Sequence, residues 1–394
     1  MLTYILPKFK NTCNKLNKKE GFFVKKVVII GAGMIGATAA YELVQKGIKV
    51  TLIDSHRIGR ATSAAAGIIC PWITQRRNQA WYVLAKKGAE YYEELIASLH
   101  EDGESNTGYK KVGAIRLHTE KERLEKLKEI ALSRRETAPQ IGEVKLLNKE
   151  DTKAMFPYVR DDFYSLFISG GARVDGNALR ESLIRASVKR GATYIQGEAG
   201  LTFTNNEVTG VKIGTNYIEA DETICSNGVW MPNLLKPLNI NLNISSQKGE
   251  IIHLHTTSMD TSSLPVVMPP NNQYLLCFDD NRIVIGATHI NSNEFDTNMT
   301  AGGAFYILDQ ALQVAPSLSD CTITETRVGF RPFTFNHLPI FGRLPTYNRI
   351  LIANGLGASG LTTGPFIGKQ LAKLVSNDTL DVHLEAYKVE QALK

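Results

Sequence analysis

The chain has 394 residues, 43% hydrophobic and 21% charged, with a net charge of +6. That balance excludes a disordered polyelectrolyte, and no run reaches the roughly 18 apolar residues that span a bilayer. The composition is that of a globular protein of about two or three domains with no integral membrane segment. The five cysteines, Cys13, Cys70, Cys225, Cys277 and Cys321, are odd in number and widely spaced, with no C-x-x-C pair. They argue against a disulfide framework or a zinc site, so no metal is expected and the setting reads as cytoplasmic, free or peripheral to the membrane.

Much of the positive charge falls early, at Lys8, Lys10, Lys15, Lys18, Lys19, Lys25 and Lys26. It reads as a solvated tail rather than a nucleic-acid patch, and the segment lacks the apolar stretch of a secretory signal. Codons for Lys19-Glu20-Gly21 would resemble a ribosome-binding site, with Val24 as the initiator. Residues 1–24 are therefore expected to be a disordered extension.

The first regular unit follows. Lys26 to Ile30 has the pattern of a buried strand, Ala37 to Lys46 that of an amphipathic helix, and Ile48 to Asp54 that of a second strand. Between the first two lies G-x-G-x-x-G, as Gly31, Gly33 and Gly36 with Met34 and Ile35 inside it. Strand, glycine turn and helix N-terminus together bind a dinucleotide pyrophosphate, and Asp54 closes the next strand where a carboxylate can take a ribose hydroxyl. Arg60-Ala61-Thr62-Ser63-Ala64-Ala65-Ala66-Gly67 then offers a cation, two hydroxyls and small residues suited to close passage of a diphosphate and a ring.

A helix is expected over Trp81 to Leu99, a strand over Val112 to Leu117 and a charged, solvated helix over Glu120 to Arg135. Asp175 is a candidate N-cap for a helix over Ala178 to Lys189 that stops at Gly191. A strand at Thr193 to Ile195, a hairpin from Glu207 to Ile213 and Tyr217 to Ala220, and a buried strand at Glu222 to Cys225 come next. Residues 245–330 change to short β-rich runs, Glu250 to His255, Tyr274 to Phe278 and Arg282 to Ala287, interrupted by a helix at Gly303 to Ala315. This is the pattern of an antiparallel sheet with a covering helix. The end of the chain returns to a strand at Ile350 to Asn354, a glycine turn and a helix at Gly364 to Val375.

A second signature lies in that last stretch: Gly329-Phe330-Arg331-Pro332, then Gly355-Leu356-Gly357-Ala358-Ser359-Gly360-Leu361. With the first glycine motif, Thr62 to Gly67, Ser226-Asn227-Gly228-Val229-Trp230, Gln247 to Glu250 and Arg282 to Thr288, it resembles the flavin-dependent D-amino acid oxidase, glycine oxidase and sarcosine oxidase group. The likeness runs from Lys26 to about Val375. It implies an α/β (α+β) fold, a Rossmann-like FAD-binding domain with an inserted antiparallel-sheet substrate domain. The first would comprise residues 25–100, 172–243 and 330–386, the second 101–171 and 244–329.

The resemblance further implies that Arg331 pairs with a substrate carboxylate, as its planar fork suits. Tyr274 would assist through its hydroxyl, or serve as a core tyrosine. His289 falls near a sarcosine-oxidase-like histidine, one residue out of register, so that its face is in question. Cofactor contacts extend to Ser55, Ile68, Ile69 and Gly200, and the turn Ser359, Gly360, Leu361, Thr362, Thr363 would set its N–H groups and helix dipole at the flavin's pyrimidine edge. Two departures stand out: the second arginine of glycine oxidases is replaced near Ala358, and Asn336-His337 stands where many relatives have Asp-Gly. No cysteine lies between Arg331 and Asn336, so FAD is expected to be non-covalent. Gln75, Arg76 and Arg77 follow Cys70-Pro71-Trp72 and read as pocket-shaping or as a solvated loop.

The expected activity is oxidation of a small amino acid (a D-amino acid, glycine or an N-alkyl glycine) to an imino acid by hydride transfer to flavin N5, then hydrolysis. Oxygen or a quinone would accept the electrons, and a homo-oligomer is open. Two other classes remain: a tRNA wobble-uridine modification oxidase, disfavoured by the lack of a large basic face, and a non-catalytic flavin-binding protein.

Overall fold

Five apolar runs form a parallel sheet because each is flanked by glycine turns or helices that cover both faces. A computed structural model describes residues 24–204 and 207–394; the expectations for residues 1–23 lie outside them. Across this six-stranded sheet the order is Ile340–Leu344, Tyr347–Asn354, Glu222–Cys225, Lys26–Ile30, Lys49–Asp54 and Thr193–Gln196, with Ile340–Leu344 antiparallel at one edge. Val27 to Ile30 are almost wholly buried. The helix expected to begin at Ala37 begins at Met34 and runs to Gln45, packed against the helices Gly176–Lys189 and Gly360–Ser376.

The second large sheet has nine strands, antiparallel except where Val266–Met268 runs parallel to Ala114–His118. Ser245–His255 lies between Arg282–Gly286 and the long strand Thr322–Phe333, and Tyr274–Cys277 follows Arg282–Gly286. Two strands of this sheet, Val144–Leu147 and Tyr164–Ile168, were not expected from the sequence. The covering helix is Ala301–Val314; its Ile307 and Ala311 close a core with Ile252, Leu254, Ile283 and Ile285. The opposite face of the sheet looks toward the glycine turns.

Asp175 ties the two sheets together. It caps the helix Gly176–Lys189, accepting from Asn177 N (2.9 Å) and Ala178 N (3.1 Å), and accepts from Arg282 Nη2 at 2.9 Å. The hairpin Glu207–Ile213 with Asn216–Glu219 forms as expected, joined by Ala199–Thr204. No helix among the described residues is long and apolar enough to cross a membrane, and no metal-holding cluster occurs among them.

Candidate active site

At the end of Lys26–Ile30 the backbone turns with Gly31 at φ +96°, where a Cβ would lie 2.8 Å from the Asn227 backbone. Gly36 serves packing: a Cβ there would lie 2.0 Å from Gly31 O and 2.5 Å from Ser226 Oγ. The helix Met34–Gln45 opens at Gly33 with no side-chain cap, so its first N–H groups and its positive dipole end are available to an anion, with Thr62 Oγ1 accepting weakly from Met34 N at 3.3 Å. Across the turn, Asn227 Oδ1 is buried with no partner. Asp54 is more constrained than expected. Its Oδ2 accepts from Arg180 (2.7 Å) and Arg60 (3.0 Å), leaving Oδ1, which accepts from Ala32 N at 3.3 Å, as the oxygen nearer to free.

These groups open into an elongated cavity of about 580 Å³ that continues to Tyr274, His289, Arg331 and the turn Leu356 to Thr362. At that far end the helix Gly360–Ser376 begins, again without a side-chain cap. Two uncapped helix starts, a backbone cradle at Gly31 and an orphaned amide oxygen fit a long, anionic, hydrogen-bonding group such as FAD.

Of the residues expected at the cofactor, all but five line this cavity; Gly36, Ser63, Ile69, Ser359 and Thr363 stand behind the wall. Ile69 alternates away from Ile68 along its strand and is buried. Thr363 Oγ1 donates to Ser359 O (3.0 Å), and Ser359 Oγ accepts from Trp81 Nε1 (3.1 Å). Both brace the turn.

Arg331 projects from Thr322–Phe333 over Gly249 of the neighbouring strand, where a Cβ would lie 2.7 Å from its Nη2. Its Nη1 donates to Gln247 Oε1 (3.1 Å), Thr288 O (3.2 Å) and His289 Nδ1 (3.0 Å), while Nη2 and Nε have no partner among the described residues. No carboxylate among the described residues pairs with it. Since the guanidinium can only donate, His289 must accept at Nδ1 as a neutral ring. Burial, then the charge of Arg331, hold its pKa below the ordinary value, which agrees with that state. Tyr274 stands over Gly286, whose absent side chain makes room for its Oη (2.9 Å from a Cβ there). Burial raises the Tyr274 phenol to about 12, against the opposing influence of Arg331, so the hydroxyl is a donor at neutral pH. His289 thus faces the cavity despite the doubtful register, because the chain leaves the strand at Gly286 and alternation no longer applies.

Gln247 belongs to a motif that carries the resemblance but was not expected at the substrate end, although alternation along Ser245–His255 places it on the face of Gly249. Asn272, Asn233, Leu234 and Pro237 also line the cavity, and nothing local in the sequence marks them. Arg76 is half-buried between exposed Gln75 and Arg77, and its guanidinium stacks 4.6 Å from the Trp81 ring and donates to His337 O.

A dinucleotide cradle joined by one cavity to an arginine without an acidic partner among the described residues is the frame of a dinucleotide-dependent oxidoreductase site. Residues 26–374 match the FAD dependent oxidoreductase (DAO) family, and the chain belongs to it, with FAD as cofactor. It is 52% identical over 371 residues to the uncharacterized oxidoreductase YurR of Bacillus subtilis, covering 94% of this chain and 100% of that one. The glycine oxidase of Pseudomonas aeruginosa is 28% identical, over 89% of this chain and 95% of its own length. Among solved structures, the iminodiacetate oxidase IdaA of Chelativorans sp. BNC1 superposes with a TM-score of 0.89 at 42% identity, covering 92% of this chain and 98% of that one. Glycine oxidase from Bacillus cereus shares the fold at a TM-score of 0.80 and 22% identity.

Proposed function

We propose that the chain uses non-covalent FAD to oxidise a small amino acid, a D-amino acid, glycine or an N-alkyl glycine, to the imino acid, which water then hydrolyses. One observation carries this reading: a cationic fork in the cavity wall whose hydrogen bonds all go to neutral acceptors. An arginine so placed keeps most of its charge for a ligand carboxylate, and two of its nitrogens are free to form a bidentate pair. The glycine oxidase and iminodiacetate oxidase relatives support an amine alpha to a carboxylate, and the second adds secondary amines.

FAD supplies the hydride acceptor. Arg331 and the Tyr274 hydroxyl hold the carboxylate, fixing which Cα–H bond faces the turn Gly357 to Thr362. As that hydride leaves with its electron pair, the amine lone pair forms the C=N bond, so the substrate must bind with a neutral amine. The neutral His289 and the cationic Arg331 favour that form, and no general base is required. Orientation is the protein's main contribution.

The test is anaerobic flavin bleaching of the holoenzyme with D- and L-amino acids, glycine, sarcosine and proline, repeated for Arg331→Met. Truncating one partner of such a pair costs about 2–5 kcal/mol. A loss of at least thirtyfold in the bleaching rate constant per substrate concentration is therefore expected, with FAD content unchanged. Bleaching by no amino acid, or retained carboxylate affinity in the variant, would remove the proposal.

A further inference from the structure

With FAD along the glycine cradle, a substrate still needs its own way from solvent to Arg331. Against the Arg331 end of the cavity lies a cleft of about 690 Å³, whose wall includes Asn272, Thr288, His289, Ile290, Gly302 and Tyr306. Cleft and cavity meet at Asn272 and His289, which line both. Five of the seven residues around the cleft are exposed, so it opens to solvent. The other chamber beside the cavity, about 410 Å³, is a poorer route, since only Gln75 and Ala358 among its fifteen lining residues are exposed.

The banks of the cleft are fixed. The helix Ala301–Val314 is held at its start, where Thr300 N donates to the buried Glu250 carboxylate at 2.8 Å. Further along this helix, Gln310 accepts from Asn271 Nδ2, through its carbonyl at 3.4 Å and Oε1 at 3.2 Å, which ties down the neighbour of Asn272. On the other bank Thr288 is locked to the strand Ser245–His255: its N donates to Glu250 O at 3.2 Å and its Oγ1 accepts from Glu250 N at 2.9 Å.

His289 is held differently. Its exposed ring accepts from Arg331 Nη1, but that nitrogen also donates to Gln247 Oε1 and Thr288 O. An Nη carries two N–H groups and this one faces three acceptors, so one acceptor is in surplus. Swinging the imidazole outward therefore strips Arg331 of no bond. The ring's tie to the Asn272 backbone lies at the solvent edge, where water can replace it. We propose that the cleft is the substrate's entrance and the His289 imidazole its gate: the ring rotates, a carboxylate crosses to Arg331, and the ring returns behind it. No charged side chain lines the cleft, so the first cation the carboxylate meets is Arg331 itself. The proposal rests on Arg331 as the carboxylate site.

An entrance sets rates and leaves the end states alone, so obstructing it slows binding and release equally. Gly302 suits an obstruction, being exposed with nothing within 4 Å of an added Cβ. The redox-inert probe (methylthio)acetate, with sulfur in place of the amine, is mixed with holoenzyme by stopped flow and followed by the flavin absorbance. In Gly302→Trp the association and dissociation rate constants should both fall at least tenfold, with Kd within twofold of wild type. Ile290→Trp, on the facing bank, should act likewise, and Gln75→Trp, in the wall of the other chamber, should change neither constant. His289→Ala should raise the association rate constant at least threefold. FAD content and melting temperature establish that each variant is folded. Wild-type rate constants in both tryptophan variants of the cleft, a changed Kd with unchanged association, or slowed binding in Gln75→Trp overturns the entrance and leaves the Arg331 reading standing. Unchanged association in His289→Ala overturns the gate. Equal Kd in Arg331→Met and wild type overturns the Arg331 reading instead.

Discussion

Gly249→Ala isolates the geometry of the carboxylate site proposed at Arg331, because a single added methyl displaces the guanidinium and removes no polar group. The new Cβ would lie 2.7 Å from Arg331 Nη2 and 2.8 Å from Cζ, against 3.4 Å for the near edge of ordinary contact. The guanidinium must therefore retreat by about 0.7 Å. It can do so, because the obstructed atoms are the far end of a flexible side chain, and the strand pairing of Gly249 with Gly329 is untouched. The retreat stretches Nη1 contacts that already stand at 3.0–3.2 Å, and it moves the fork that orients the substrate. A displacement approaching 1 Å at an orienting group costs up to about 100-fold in rate. The expected result is a ten- to hundredfold fall in kcat/KM for amino acids, about 1.4–2.8 kcal/mol, with full FAD content and a melting temperature within a few degrees of wild type. Anaerobic stopped-flow reduction gives the binding and reduction steps separately. A kcat/KM within twofold of wild type would falsify the placement of Arg331 against the substrate.

At the other end of the cavity, Gly31→Ala should lower both FAD content and stability, because its Cβ meets backbone rather than a movable side chain and φ +96° disfavours any L residue. The ratio of flavin to protein absorbance and the melting temperature check this, and normal values for both would contradict the cradle. His253 sets an acid limit. Burial, reinforced by Arg327 and Arg282, lowers its pKa from 6.5 to about 4, so the folded chain keeps it neutral while the unfolded chain protonates it. Its stabilising contribution is complete above pH 6.5 and declines as pH falls toward 4, an order-of-magnitude loss of about 3 kcal/mol. Urea unfolding from pH 7 to 4 should show a shallower pH dependence for His253→Leu than for wild type; parallel curves would refute the assignment.

The parallel sheet was legible because its strands are uninterrupted apolar runs beside glycine, and burial on both faces demands that pattern. Val144–Leu147 and Tyr164–Ile168 were not, since such short strands are stabilised by their neighbours in the sheet rather than by a pattern of their own. The last helix shows the limit in one residue. The helix expected from Gly364 runs from Gly360, with Pro365 inside it. Proline has no N–H for the carbonyl of Leu361, and Tyr92 Oη donates to that carbonyl at 2.6 Å instead. A compensating donor 269 residues away leaves no trace in local sequence.

The same distinction separates the two halves of the site. Arg331 and the glycine turns sit in contiguous motifs, because backbone geometry and one helix start place them. Gln247 reaches Arg331 only through the pairing of Ser245–His255 with Thr322–Phe333, and Arg76 is set by Trp81, His337 and a loop braced by Arg134. Arg331 is also marked by a structural asymmetry that no composition reveals. Arg173, Arg180 and Arg282 have acidic partners and join one element to another. Arg331 meets only neutral acceptors among the described residues and faces the cavity. Arg134 also lacks an acid among the described residues but gives its donors to the carbonyls of Trp72 and Thr74, whereas Arg331 keeps Nη2 and Nε free beside the cavity, the arrangement that suits a ligand rather than the fold. Substitution of Arg331 should therefore alter the binding of acids much more than it alters stability.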